Sequence, residues 1–159
     1  MYHRIVRSRV RQAYAKMSAG RYRDVVRTFS PDIVFRFYGD HAMGGEQRGS
    51  EAVRAWFERV FRLLPGLRLE PLSIVVDGPP WNTTVATRFR VHAELPDGLV
   101  YTNEGMQYLR LRWGKAVEDR LYEDTAALER ALEHLARHGR EEALAPPLGS
   151  PAVPASPAV

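Results

Sequence analysis

Residues 101–125 read YTNEGMQYLRLRWGKAVEDRLYEDT, and the rest of the chain can be arranged around the β-hairpin that they predict. The alternation of apolar and polar residues predicts two antiparallel strands, 104–112 and 116–122. Gly114 lies in the joint between them and allows the positive φ that a tight turn needs. One face of the hairpin is apolar, so it requires a core or a pocket to pack against.

The composition is typical of one globular domain. The chain has 159 residues, of which 45% are hydrophobic and 26% charged, and this length is sufficient to bury a core. It has no cysteine, which excludes disulfides, thiol catalysis and thiolate metal sites. We find no apolar run of membrane-spanning length and no secretory segment at the N-terminus, so we expect a cytoplasmic protein that does not enter a membrane.

The net charge of +4 raises the question of a nucleic-acid partner. The basic residues are densest at Arg4, Arg7, Arg9 and Arg11. No recognition-helix, zinc-finger or RNA-binding signature accompanies them. We therefore interpret this cluster as a solvated helix face and do not expect nucleic-acid binding.

Hydrophobic periodicity predicts the remaining elements. Helices are predicted at 2–18, 21–29, 51–64 and 126–138, and strands at 33–38, 67–76 and 83–94. Residues 39–49 contain four glycines and are predicted to be a loop, with Ser50 as the N-cap of the following helix. Strands that follow one another through short turns favour an antiparallel sheet, covered on one face by the helices. Residues 139–159 are predicted to be a disordered, Pro/Ala-rich tail.

Two motifs in this order resemble the nuclear transport factor 2-like superfamily and, within it, the SnoaL-like proteins. They are GGEQRGSEAVRAWFERVF, at the start of the third helix, and LRLRWGKAVEDRLYEDT, at the end of the hairpin. We assign residues 1–138 to one SnoaL-like domain. The resemblance implies an α+β fold of the cystatin-like roll type, in which a curved antiparallel sheet forms a cone closed by the N-terminal helices. An apolar pocket is expected inside the cone.

Two catalytic sets of this superfamily are not matched at the corresponding positions. The base of the ketosteroid isomerases falls near Phe37, which cannot take a proton, and their oxyanion-hole acid falls near Gln107. The charged residues of the epoxide hydrolases fall near Phe89, Val91 and Leu121, which are all apolar. The resemblance therefore implies the fold without deciding the reaction.

Polyketide cyclases of the SnoaL type rely on an acid near the end of the last strand. The match here is Asp124, Asp119 or Glu123, although Asp124 also stands where the N-cap of the last helix belongs. Asp119 and Glu123 share the strand face expected to look into the cone, where desolvation would raise a carboxyl pKa; an exposed strand end is the alternative. His41, in the glycine-rich loop near the expected pocket mouth, is either a proton-transfer residue or an exposed loop histidine.

These observations give one main hypothesis and one alternative. The candidate catalytic residues are His41, Asp119 and Glu123, and the candidate ligand-binding residues are Tyr14, Phe35, Phe37, Trp56, Phe57, Phe89, Gln107 and Leu109. Such a pocket suits a small hydrophobic, oxygenated ligand, with isomerase- or cyclase-type proton transfer. The alternative is a non-catalytic dimerisation or protein-binding module whose pocket is filled by its own side chains.

The outer face of the sheet has a different predicted role. The residues that alternate away from the pocket are Arg88, Arg90, His92, Tyr108 and Arg110. We expect this convex face to mediate a homodimer. No cofactor and no metal site are expected, since His134 and His138 have helical i, i+4 spacing without a third ligand visible in the sequence.

Overall fold

The structure, a computed structural model, describes residues 1–150, which form four α-helices and six β-strands. The helices are α1 (Tyr2–Ser18), α2 (Tyr22–Val26), α3 (Ser50–Leu63) and α4 (Thr125–Arg137). The strands are β1 (Phe29–Phe37), β2 (Gly45–Arg48), β3 (Arg68–Asp77), β4 (Thr83–Glu94), β5 (Val100–Arg112) and β6 (Lys115–Glu123). The predicted α+β class, with a curved sheet and helices, is confirmed. None of the described helices combines the length and the hydropathy that a membrane span requires.

The strands form one sheet in the order β2-β1-β6-β5-β4-β3, so the hairpin of β5 and β6 lies near its centre. Neighbouring strands are antiparallel except β1 and β6, which are parallel. The sequence predicted only antiparallel pairs, because it linked strands through short turns. Strands β1 and β6 are separated in the chain by four other strands and helix α3, so no turn constrains their relative direction.

Strand β4 shows how the alternation gives the sheet an inner and an outer face. Its residues Val85, Phe89 and Val91 are buried, whereas Arg88 and Arg90 between them are exposed. A strand with one buried face has a period of two residues. The predicted assignment of these faces is therefore confirmed.

Helices α1 and α3 each bury one side. The buried residues are Val6, Val10, Tyr14 and Met17 in α1, and Val53, Trp56, Phe57, Val60 and Leu63 in α3. These spacings place each set on one side of its helix, and each large apolar side chain contributes roughly 1.5–3 kcal/mol when fully buried. The N-cap of α3 is Gly49, with φ 88°, instead of the predicted Ser50, and no side chain caps this end.

The predicted loop 39–49 contains the short strand β2. Its residues pair antiparallel with β1, although the glycine content predicted no strand there. Strand β1 begins at Phe29 and β5 at Val100, both about four residues before their predicted starts. Pairing with a neighbouring strand, and not local propensity, determines where these strands begin.

Residues 139–150 are also structured, in contrast to the predicted disordered tail. Glu141–Leu144 form a 3₁₀ helix, and Ser150 makes a β-bridge with Glu46. Arg62 of α3 donates hydrogen bonds of 3.1 and 2.7 Å to the two carboxylate oxygens of Glu142. The rest of the predicted tail, residues 151–159, lies outside the described residues.

Gly105, in the middle of β5, is required by the packing of the inner face. A Cβ atom at this position would lie 2.6 Å from Phe89 Cζ and 2.9 Å from Glu123 Cγ. Gly105→Ala is expected to lower the free energy of unfolding by about 1–3 kcal/mol, the usual cost of overpacking, as measured by urea denaturation. Gly66→Ala is the control, because a Cβ there meets no atom within 4 Å. Equal losses in both variants would contradict this account.

Candidate functional site

A cavity of about 370 Å³ lies between the inner face of the sheet and the helices α1 and α3. The predicted pocket residues that line it are Tyr14, Phe37, Trp56, Phe57, Phe89, Gln107 and Leu109. Phe35 was predicted to belong to this set but does not reach the cavity. It is fully buried and packs against Trp56, with ring centroids 4.6 Å apart, so it is a core residue.

Asp119 of β6 brings a carboxyl group into the wall of the cavity. Its side chain is almost completely buried, and Gln107 Nε2 donates hydrogen bonds of 3.0 and 2.9 Å to its two oxygens. Burial raises the pKa of Asp119 to about 7, and the hydrogen bonds from Gln107 offset only part of that rise. No cation contributes to the shift, and a carboxyl group with a pKa of about 7 is close to half-protonated at neutral pH.

Glu123 brings a second carboxyl group into the same wall, four residues further along β6. Tyr101 Oη donates to Glu123 Oε2 at 3.1 Å, and Asn103 Nδ2 donates to the same oxygen at 3.3 Å. Burial raises the pKa of Glu123 to about 7 as well, against the opposing effect of these two hydrogen bonds. Both bonds go to Oε2, so Oε1 is the oxygen that remains for a ligand.

Tyr14 connects helix α1 to the first of these acids. Its hydroxyl donates a hydrogen bond of 3.0 Å to Gln107 Oε1, which leaves the amide nitrogen of Gln107 facing Asp119. Burial, and then the negative charge of Asp119, raise the pKa of Tyr14, so the phenol keeps its proton. The three side chains form a hydrogen-bonded chain from α1 through β5 to β6.

His41 does not line the cavity, although it was predicted to lie at the pocket mouth. Its ring is only 8% exposed and packs edge-on against Phe37, with centroids 5.7 Å apart. Its Nδ1 accepts a hydrogen bond of 3.2 Å from the backbone N–H of Met43. Burial lowers the pKa of His41, so the ring is neutral, and Phe37 separates it from the cavity.

Asp124 is the N-cap of α4. Its Oδ1 accepts a hydrogen bond of 3.2 Å from the backbone N–H of Ala127, which satisfies one of the free amide groups at the start of the helix. The interpretation of this residue as a cap is confirmed. Asp119 and Glu123 are therefore the candidate acids that face the cavity.

The order of elements, the sheet and the cavity agree with a known domain. The SnoaL-like domain family matches residues 10–119, which is more than half of the chain. The chain belongs to this family. No curated protein is similar to it by sequence at a significant level.

Solved structures have the same fold as this SnoaL-like domain. PrhC from Penicillium brasilianum has a TM-score of 0.72 and 15% identity, covering 85% of this chain and 90% of PrhC. Bal32a, from a soil-derived mobile gene cassette, has a TM-score of 0.64 and 21% identity, covering 74% of this chain and 88% of Bal32a. IdmH from Streptomyces antibioticus, a candidate polyketide cyclase, has a TM-score of 0.62 and 18% identity, covering 76% of this chain and 92% of IdmH. At these identities, the similarity shows the fold alone.

The sequence did not identify Tyr101 and Asn103 as partners of Glu123 in this SnoaL-like domain. The predicted strand started at residue 104, so neither residue was assigned to a face. Strand β5 starts at Val100, and residues 101 and 103 then fall on the same face as Gln107. Continuing the period of two toward the N-terminus would have found them.

The raised pKa of Asp119 makes a prediction about stability and pH. The folded protein holds this proton more tightly than the unfolded chain, whose aspartate pKa is about 3.9. The free energy of unfolding should therefore fall as the pH rises from about 4 to 7. In Asp119→Asn this fall should be smaller by about 1 kcal/mol or more, because one unit of pKa corresponds to about 1.4 kcal/mol. Urea denaturation of both proteins at pH 5 and pH 8 measures this difference in the free energy of unfolding.

Glu118, the neighbouring acid on the outer face, is the control. Burial alone would raise the pKa of Glu118, but hydrogen bonds and charges from Arg120 and Arg110 more than offset this and hold the pKa below its usual range. A carboxyl group with a lowered pKa contributes stability that is lost in acid, so Glu118→Gln should not reduce the fall between pH 5 and pH 8. A Glu118→Gln profile that matches that of Asp119→Asn would refute the assignment to Asp119.

Proposed function

We propose that this SnoaL-like domain binds a small, mainly apolar and oxygenated molecule in its cavity and moves a proton on it with Glu123 and Asp119. The observation that carries the proposal is the presence of two carboxyl groups in one apolar wall, each with a pKa of about 7. A general acid or base works best when its pKa lies near the operating pH. Burial of carboxyl groups without a cation is costly, and a role in proton transfer accounts for keeping them.

The size and lining of the cavity support a small ligand. Its volume of about 370 Å³ lies within the usual range for small-molecule sites, about 300–1,000 Å³. Rings of Phe37, Trp56 and Phe89 are available for apolar contact. The family includes polyketide cyclases, and IdmH is a candidate one, so a hydroxylated aromatic or polyketide-like compound is a reasonable class of ligand.

Glu123 is proposed as the residue that exchanges the proton with the ligand. Its Oε2 is held by Tyr101 and Asn103, which fixes the orientation of the carboxyl group, while Oε1 can accept a proton from the ligand. The two donors stabilise the ionised form, and burial stabilises the protonated form. A group balanced in this way can act as a base in one step and as an acid in the next.

Asp119 is proposed to act at the other end of the ligand. The two acids are four residues apart on one face of β6, which corresponds to roughly 13 Å along an extended strand, with Leu121 between them. Gln107 and Tyr14 hold Asp119 in place. Glu123 would take a proton from one end of the ligand while protonated Asp119 donates its own proton at the other end, which would move a double bond or close a ring without a cofactor. Proton exchange with solvent would then restore both acids.

The binding step can be tested with 2-naphthol and naphthalene, which differ by one hydroxyl group. Wild-type protein is expected to bind 2-naphthol about tenfold more tightly by calorimetry, because a hydrogen bond to a charged group contributes roughly 1.5–3 kcal/mol. Glu123→Gln should lose most of this difference and retain affinity for naphthalene. The same titration of Asp119→Asn shows which acid contacts the hydroxyl group.

A variant that fills the cavity provides the matched control. Leu109→Trp, on the lining, should abolish binding of both compounds. Leu99→Trp introduces the same side chain at an exposed leucine and should bind as wild type does. Circular dichroism establishes that both variants are folded. Equal binding by wild type and Leu109→Trp would show that the compounds bind outside the cavity, and the proposal would fail.

We also infer a homodimer formed through the outer face of the sheet. Met106 and Tyr122 are directly opposite each other in neighbouring strands and are 44% and 41% exposed. Tyr122 stacks on Tyr38, with ring centroids 4.4 Å apart. These residues form an apolar stripe across β5, β6 and the residue that follows β1, and exposed apolar patches of this kind favour protein contacts.

The dimer can be tested by native mass spectrometry of the wild type and one pair of variants. Met106→Arg, at one end of the stripe, should shift the protein from the mass of two chains to that of one. Leu144→Arg introduces the same charge at a leucine that is 68% exposed outside the sheet, and it should remain dimeric. A monomeric wild type, or a dimer unaffected by Met106→Arg, would refute the interface.

A further inference from the structure

The last turn of α4 and the loop between β4 and β5 bring three metal-ligating side chains together. His134 lies in the last turn of α4, His138 is the C-cap residue that follows this helix, and Asp97 lies in the short 3₁₀ helix Pro96–Gly98. Each residue offers one ligand atom, and these atoms all lie within 4.8 Å of one another. The histidine pair was visible in the sequence, but the third ligand comes from a position 37 residues earlier in the chain than His134.

Backbone carbonyl groups orient both imidazole rings. His138 Nδ1 lies 2.8 Å from the carbonyl oxygen of His134, and His134 Nε2 lies 3.0 Å from that of Pro96. A carbonyl oxygen can only accept, so the nitrogen that faces it carries the hydrogen. The other nitrogen of each neutral ring then has a free lone pair. A hydrogen bond from one ring nitrogen to a carbonyl is the usual arrangement of a metal-binding histidine.

The carboxylate of Asp97 faces the free nitrogen of His138. Asp97 Oδ2 lies 2.5 Å from His138 Nε2, so a proton lies between them. A metal ion that replaces this proton would move the two atoms apart, because zinc lies about 2.0–2.2 Å from each nitrogen or oxygen ligand. Asp97 also has φ 64°, in the left-handed region that non-glycine residues seldom adopt.

We propose that Asp97, His134 and His138 form a binding site for a divalent transition metal ion of the zinc type, which links α4 to the β4–β5 loop. Two imidazole nitrogens and one carboxylate oxygen are a ligand set that Zn²⁺ accepts, with water completing its tetrahedral coordination. Asp97 and His138 are exposed and His134 is partly buried, so the ion would exchange readily with solvent. The site lies outside the cavity lining and is independent of the acids Asp119 and Glu123.

Calorimetric titration of tag-free, chelator-treated protein with ZnCl₂ at pH 7.5 tests the site. Wild-type protein is expected to bind one equivalent. His138→Ala, His134→Ala and Asp97→Asn should each weaken binding roughly tenfold or more, in line with the loss of a metal-site group. Asparagine tolerates the left-handed conformation, so Asp97→Asn removes the charge without disturbing the loop.

Two controls separate this site from adventitious binding and from misfolding. His92→Ala removes an exposed histidine on the outer face of the sheet and should leave the zinc affinity unchanged. The melting temperature should rise with zinc concentration in wild type and in His92→Ala, but not in His138→Ala, whose melting temperature without zinc reports on its folding. Absence of binding in wild type overturns the proposal, because Asp97 and His138 then form only an ion pair. Equal binding by all variants also overturns it.

Discussion

The burial of two carboxyl groups in an apolar wall is the constraint on which the rest of this structure depends. No cation contributes to the pKa of Asp119 or of Glu123, so neutral donors must satisfy their oxygens. Gln107 donates hydrogen bonds to Asp119, and Tyr101 and Asn103 donate to Glu123. All three donors lie on β5, so the pairing of β5 with β6 is what brings the donors to the acids.

The alternation of the strands separates two kinds of acid within one short segment. Glu118 and Asp119 are neighbours in sequence but lie on opposite faces of β6. Glu118 forms salt bridges with three arginines on the outer face, and its pKa is lowered. Asp119 accepts hydrogen bonds from the Gln107 amide in the cavity wall, and its pKa is raised. A shift of one residue in register would exchange these environments, so the register of the hairpin determines the chemistry of the cavity.

The sequence predicted the features that depend on local patterns and missed those that depend on distant partners. Periodicity located α1, α3 and β4, and the position before the last helix identified Asp124 as a cap. It did not find β2, whose residues are paired only because β1 lies beside them. It placed Phe35 at the cavity, because a strand pattern gives the face of a side chain but not its depth behind the cavity wall. It placed His41 at the mouth of the cavity, because the loop sequence does not indicate that the ring packs against Phe37. Tyr101 and Asn103 were missed because the start of β5 is set by pairing with β4.

The donors on β5 differ in how their part of the strand is paired. Gln107, in the middle of the strand, is held by paired neighbours on both sides. Tyr101, the second residue of β5, pairs with Ala93 of β4, whereas the pairing with β6 begins only at Gly105. Tyr101 therefore reaches Glu123 through its side-chain hydroxyl, from a part of β5 that has no backbone pairing with β6.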